Sequence, residues 1–224
     1  MIAVEGVRKR FGPHVAVDGL SLHVDAGEVV ALLGPNGCGK TTTLKALVGL
    51  VRPDAGTLRW HGKPMPWGTL ELRRNISYLP QRLGFPTGMT GREVLALYAG
   101  LRGCAPSRIG EVLAMTALEL DARKTVDSYS GGMVQRLGLA IARLPDASLL
   151  VLDEPTAALD PDGVRIVREF ITAERTRGRG ILFSTHRLAD AEGVADRILI
   201  LSNGRLVRET TIAELSERAS AASL

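Results

Sequence analysis

The chain has 224 residues, 45% apolar and 23% charged, enough for one well-buried domain or two small lobes sharing a core. No apolar stretch approaches the ~20 residues of a membrane-spanning helix, and the opening MIAVEGVRKRF mixes charge into its apolar positions without the core of a secretory signal; a cytosolic protein is expected. Two cysteines, Cys38 and Cys104, are too few for a disulfide framework, and 28 Lys and Arg lie dispersed among 24 acids, with no block of like charge to mark a nucleic-acid surface.

In chain order, the alternation in Val15 to Val24 predicts a half-buried antiparallel strand pair or a bent strand. Glu28 to Gly34 (EVVALLG) is a short continuous apolar run, as in a strand buried on both faces. Thr41 to Leu50 has helical spacing up to Gly49, so the order is strand, Gly-rich loop, helix. A Pro-Asp-Ala-Gly turn and a short strand occupy Arg52 to Trp60, and Ile76 to Leu79 reads as a buried strand. From about Arg92 to Leu144 the apolar period becomes 3.6, predicting an all-helical insert. LLVLD (Leu149 to Asp153), GILFST (Gly180 to Thr185) and RILIL (Arg197 to Leu201) then alternate with helical stretches, the pattern of a parallel α/β sheet. The Ala/Ser-rich end, Ala219 to Leu224, is expected to fray.

The strongest motif is GPNGCGKTT: Gly34, Pro35, Asn36, Gly37, Cys38, Gly39, Lys40, Thr41 and Thr42. It matches G-x-x-x-x-G-K-[ST] and sits between a buried strand and a helix, as a phosphate-binding loop requires. The glycines let successive N–H groups face one concavity, and the helix N-terminus adds partial positive charge. Lys40 suits the β- and γ-phosphates of ATP or GTP, Thr41 offers Mg²⁺ a hydroxyl, and Cys38 reads as a small inert residue of the loop. LLVLDEP brings Asp153 and Glu154 to the C-terminal end of a buried strand, where α/β sheets place ligands. Asp153 suits Mg²⁺, and Glu154, turned elsewhere by strand alternation, suits the attacking water. In YSGGMVQR, Ser130, Gly131 and Gly132 open an apolar helical run, a second helix N-terminus able to face an anion.

A phosphate loop, a helical insert ending in Ser-Gly-Gly and an apolar strand ending in Asp-Glu together resemble the ATP-binding cassette (ABC) ATPase family, from about Val4 to Ser216. The resemblance implies an α/β P-loop NTPase fold with a RecA-like mixed sheet. It implies an antiparallel β subdomain within a core of residues 1–90 and 146–224, and a helical subdomain over 91–145. It further implies that Phe11 stacks on adenine, that Gln81 reaches Mg²⁺ and the attacking water, and that His186 contacts the γ-phosphate. Ala158, Leu159 and Asp160 match the loop crossing the dimer interface. Ser130 to Gly132 would cover the γ-phosphate held by a second ATPase subunit, and an integral-membrane permease would dock on the helical insert and the loop Arg82 to Gly91.

The cofactors implied are ATP and Mg²⁺, and the location is the inner membrane face. Two positions depart from the family pattern: Met133 replaces the usual signature glutamine and Tyr129 the preceding leucine. The form Tyr129 to Leu137 resembles cassettes of exporter-type permeases, including drug, lipid and polysaccharide exporters and the transporter serving nitrous oxide reductase maturation. A soluble cassette ATPase without a permease, such as an Fe–S assembly ATPase, is the alternative. A chromosome-associated cassette is disfavoured by the short insert, and a non-catalytic switch by the full set Gln81, Asp153, Glu154 and His186.

Overall fold

The computed structural model describes residues 1–157 and 159–215. The chain opens with strands β1 (Ile2–Phe11), β2 (His14–Val24) and β3 (Val29–Leu33), then helix α1 (Lys40–Leu47). Strand β4 (Ala55–Trp60), the short β5 (Lys63–Pro64), helix α2 (Leu70–Asn75) and β6 (Ile76–Leu79) follow. Helices α3 (Gly91–Arg102), α4 (Arg108–Met115) and α5 (Gly131–Arg143) fill the middle, with a 3-10 turn at Val126–Ser128. The remainder is β7 (Leu149–Asp153), α6 (Pro161–Thr176), β8 (Gly180–Thr185), α7 (Leu188–Ala191), β9 (Arg197–Ser202) and β10 (Arg205–Thr210).

Two sheets result. β2-β1-β4-β5 is antiparallel throughout, whereas the six-stranded sheet β10-β9-β3-β8-β7-β6 is parallel except for the antiparallel edge strand β10. The segment Val15 to Val24 is therefore one strand paired with β1 through shifted registers. β10 escapes the sequence pattern because its alternation, RLVRET, is half charged, as suits a sheet edge.

Buried strand residues alternate between two cores. Val30, Leu32, Val151 and Leu182 pack with α1 and the antiparallel sheet. Val29, Ala31, Leu150, Leu152 and Phe183 pack with Val167, Phe170 and Ile171 of α6. A third core lies among the helices, around Val94, Leu95, Val112, Leu113 and Leu137.

α5 serves two of these cores, sending Leu137, Ala140 and Leu144 just beyond it into the helical core and Leu139 and Ala142 toward the sheet. Each such buried leucine contributes about 1.5–3 kcal/mol, so α5 locks the helical region to the sheet. The helix ends are marked locally. Thr90 and Glu93 form a reciprocal capping box on α3, Ser130 accepts from Met133 N on α5, and Asp160 accepts from Gly163 N on α6, where Pro161 takes the first turn. The segment Arg82 to Met89 holds no helix or strand. It is nonetheless tied down, with Gly88 N donating to Asp127 and Val126 N donating to the Met89 carbonyl.

Candidate active site

Parallel pairing aligns Leu33 with Thr185 and Asp153 with Ser184. The three loops that leave β3, β7 and β8 consequently emerge side by side at the carboxyl edge of the sheet. Residues 34 to 39, Glu154 and His186 are thereby neighbours, although far apart in sequence.

The first loop is shaped by backbone that only glycine tolerates. Gly39 has φ 106°, and a Cβ there would lie 2.3 Å from the Ala16 carbonyl oxygen. Gly39 is also the N-cap of α1 and offers no side-chain acceptor, so the first N–H groups of the helix are free to meet an anion. Lys40, almost wholly buried, folds back over the loop and donates to the carbonyls of Gly34 (2.8 Å) and Pro35 (3.2 Å). Such a cradle of N–H groups with a lysine in its floor fits a polyphosphate. Cys38 packs into the core beneath the loop and is a free thiol.

At the end of β7, Asp153 is fully buried and surrounded by hydroxyls. Its Oδ1 accepts from Ser184 (2.6 Å) and from Thr41 (3.1 Å), and its Oδ2 from Tyr78 (3.3 Å). Burial first, and the Asp153 charge second, push the Tyr78 phenol pKa upward, so it stays a donor. A carboxylate beside a threonine hydroxyl is a hard oxygen set, matching Mg²⁺ with phosphate and water oxygens as its remaining ligands.

The strand ends at Asp153, and Glu154 has φ 48°, a left-handed conformation rare outside glycine. Its direction is thus set by this turn, stabilised by Glu154 N donating to Ser184 Oγ (2.9 Å), rather than by strand alternation. The Glu154 carboxylate lies 3.3 Å from Lys40 Nζ and 3.2 Å from His186 Nδ1. Beneath it, Asp190 accepts from Thr156 and Thr185, which fixes the loops after β7 and β8 against each other.

A pocket of about 340 Å³ joins Phe11, Asn36, Gly37, Gly39, Lys40, Thr41, Thr42, Gln81 and Glu154. Phe11 is 49% exposed at its rim, with Lys9 Nζ 5.3 Å from the ring centroid. Ser130, Gly131, Gly132 and Asp160 are not in this pocket. They line a separate one with Arg136 and Asp162, and the two pockets share no lining residue. Ala158 lies outside the described residues.

Several residues that shape the site are inconspicuous in the sequence. Ser184 and Tyr78 hold Asp153, and His14 and Ala16 line the pocket through the antiparallel sheet. Gln135 donates to the Pro155 carbonyl (3.1 Å), tying the α5 helix to the turn that bears Glu154. The one sequence signal for Ser184 is a Ser-Thr pair ending a buried strand parallel to LLVLD.

The family model for the ABC transporter matches residues 17–157. The uncharacterized ABC transporter ATP-binding protein YxlF of Bacillus subtilis (strain 168) is 42% identical over 97% of this chain and 73% of its own length. The Nod factor export ATP-binding protein I of Burkholderia lata is 41% identical over 93% of this chain and 70% of its own. The structure of a dimeric bacterial ABC transporter cassette superposes with a TM-score of 0.85 at 25% identity, covering 95% of this chain and 99% of that one. The chain belongs to the ABC transporter family, as its ATP-hydrolysing, nucleotide-binding subunit. Among the described residues no helix is long and apolar enough to cross a membrane.

Proposed function

We propose that this subunit powers export through a separate membrane permease, with two copies closing head to tail over two ATP molecules. The observation that carries this reading is the division of the site. Ser130 to Gly132 and Asp160 form a pocket apart from the one holding Lys40 and Glu154, so each chain offers two complementary halves that a two-fold axis can join. The similarity to a dimeric cassette, and to a Nod factor export ATP-binding protein, supports the dimer and the direction.

In this reading Phe11 stacks on the adenine, and the loop N–H groups of Gly34 to Thr42 bind the phosphates, with Lys40 released from its carbonyl partners toward the γ-phosphate. Thr41, Asp153 and Gln81 would hold Mg²⁺, which neutralises phosphate charge when bound. Glu154 accepts a proton from the attacking water, while His186, anchored by Glu154, steadies the γ-phosphate. Closure excludes bulk water, and phosphoryl transfer then depends on alignment and charge stabilisation.

In this reading the permease docks at the junction of the helical region with the sheet. There a cavity of about 280 Å³ is lined by Val48, Leu50, Arg73, Tyr98 and Arg102, beside the exposed Leu97 and Leu101. Such an association would hold the subunit at the inner membrane face. Purification in detergent tests it directly: a multi-helix membrane protein should co-purify, and a soluble scaffold protein in its place would sink the export reading.

A further inference from the structure

One side chain reaches both the junction cavity and the metal-site carboxylate. Tyr78 stands on β6 opposite Val151 of β7, so its side chain rises on the same face of the sheet as Val151 and Asp153. Its hydroxyl lies 3.3 Å from Asp153 Oδ2, the oxygen that neither Ser184 nor Thr41 touches. Tyr78 also lines the junction cavity, as do Tyr98 and Arg102 of α3 and Ile141 of α5. Gln81 follows three residues later on the same strand exit.

We infer that Tyr78 is a positioning residue, through which packing at the junction of α3 with β6 sets the orientation of the Asp153 carboxylate. The inference rests on the reading of Asp153 as a Mg²⁺ carboxylate. Ser184 and Thr41 hold Oδ1, and the Tyr78 hydroxyl adds the hold on Oδ2 that resists rocking of the carboxylate about Oδ1. Any shift of α3 that moves the Tyr78 ring also moves the group that holds Oδ2. Residues that orient a metal ligand in this way typically govern metal affinity about 10–100-fold.

The test is the Mg²⁺ concentration that half-maximally tightens ATP binding, followed by calorimetry on the full chain, with the thermal midpoint as a separate readout. Tyr78→Phe keeps the ring and removes the hydroxyl. It should leave ATP affinity without Mg²⁺ as in the native chain and raise the Mg²⁺ midpoint roughly ten-fold; an unshifted midpoint would overturn the role. Tyr78→Met, with an apolar body of similar reach, gives a second reading of the same hydroxyl.

Tyr98→Ala removes an α3 side chain from the lining of the cavity. It should raise the midpoint in the native background and add nothing beside Tyr78→Phe, whereas additive shifts would overturn the link to α3. Absence of any Mg²⁺ response in the native chain would overturn the metal reading itself, and the role of Tyr78 with it.

Discussion

Lys40 and Glu154 form an almost wholly buried ion pair, Nζ to Oε1 3.3 Å, across the carboxyl edge of the sheet. The cation that opens α1 and the acid at the end of β7 thus neutralise each other within the pocket. In the proposed reading, a γ-phosphate arriving there would compete with Glu154 for Lys40 and free the carboxylate to meet a water.

Lys40→Ala removes both the phosphate-loop cation and the counter-ion of Glu154. Charge-assisted hydrogen bonds contribute about 1.5–3 kcal/mol, so ATP affinity should fall roughly ten- to a hundred-fold, read by titration calorimetry. An unchanged affinity would remove Lys40 from the phosphate site.

Glu154→Gln keeps the volume and the left-handed turn but cannot take a proton. Steady-state ATP hydrolysis should fall by about 10²–10⁴-fold, while ATP binding persists. The variant should elute as a dimer in ATP during gel filtration. Native turnover in this variant would show that another group activates the water.

Gly39→Ala is expected to abolish nucleotide binding without unfolding the chain. The new Cβ would collide with the Ala16 carbonyl in a conformation that L-residues avoid, so the loop must open. Circular dichroism and ATP titration together check both halves of this expectation.

Glu174 tests stability away from the nucleotide. It is fully buried and pairs with Arg143 of α5 (2.7 Å) and with Arg179 ahead of β8 (2.8 Å), joining the helical region to the core. Glu174→Ala removes the buried partner shared by Arg143 and Arg179, leaving them only the more exposed Glu111 and Asp146. Breaking such a pair costs about 3–5 kcal/mol, lowering the thermal midpoint by on the order of 10 °C. A midpoint within a degree or two of the native value would show that water replaces the carboxylate without cost.

Much of the architecture was legible because its causes are local. EVVALLG, LLVLD and GILFST are apolar on both faces, which only a doubly covered strand tolerates. A glycine loop entering a helix at Lys40 can be read from a few residues. β10 and the pairing of β1 with β2 were not legible, since charged alternation such as RLVRET acquires meaning only from the neighbour it borders. The contacts of Tyr78, Ser184 and Gln135 were hidden for the same reason: their partners lie 75, 31 and 20 residues away in the chain.

The sequence by itself determined the family, the glycine loop that enters α1 and the acids at the end of β7, because backbone geometry and charge at those positions depend on residue type and short spacing. Only the tertiary structure decided the rest. It brought three strand ends into register, so that Lys40, Glu154 and His186 meet. It turned Glu154 through a left-handed conformation and held Asp153 with hydroxyls from three different elements. It also kept Ser130 to Gly132 in a pocket of their own. Those relations come from strand pairing and helix packing over long sequence separations, which no local pattern encodes.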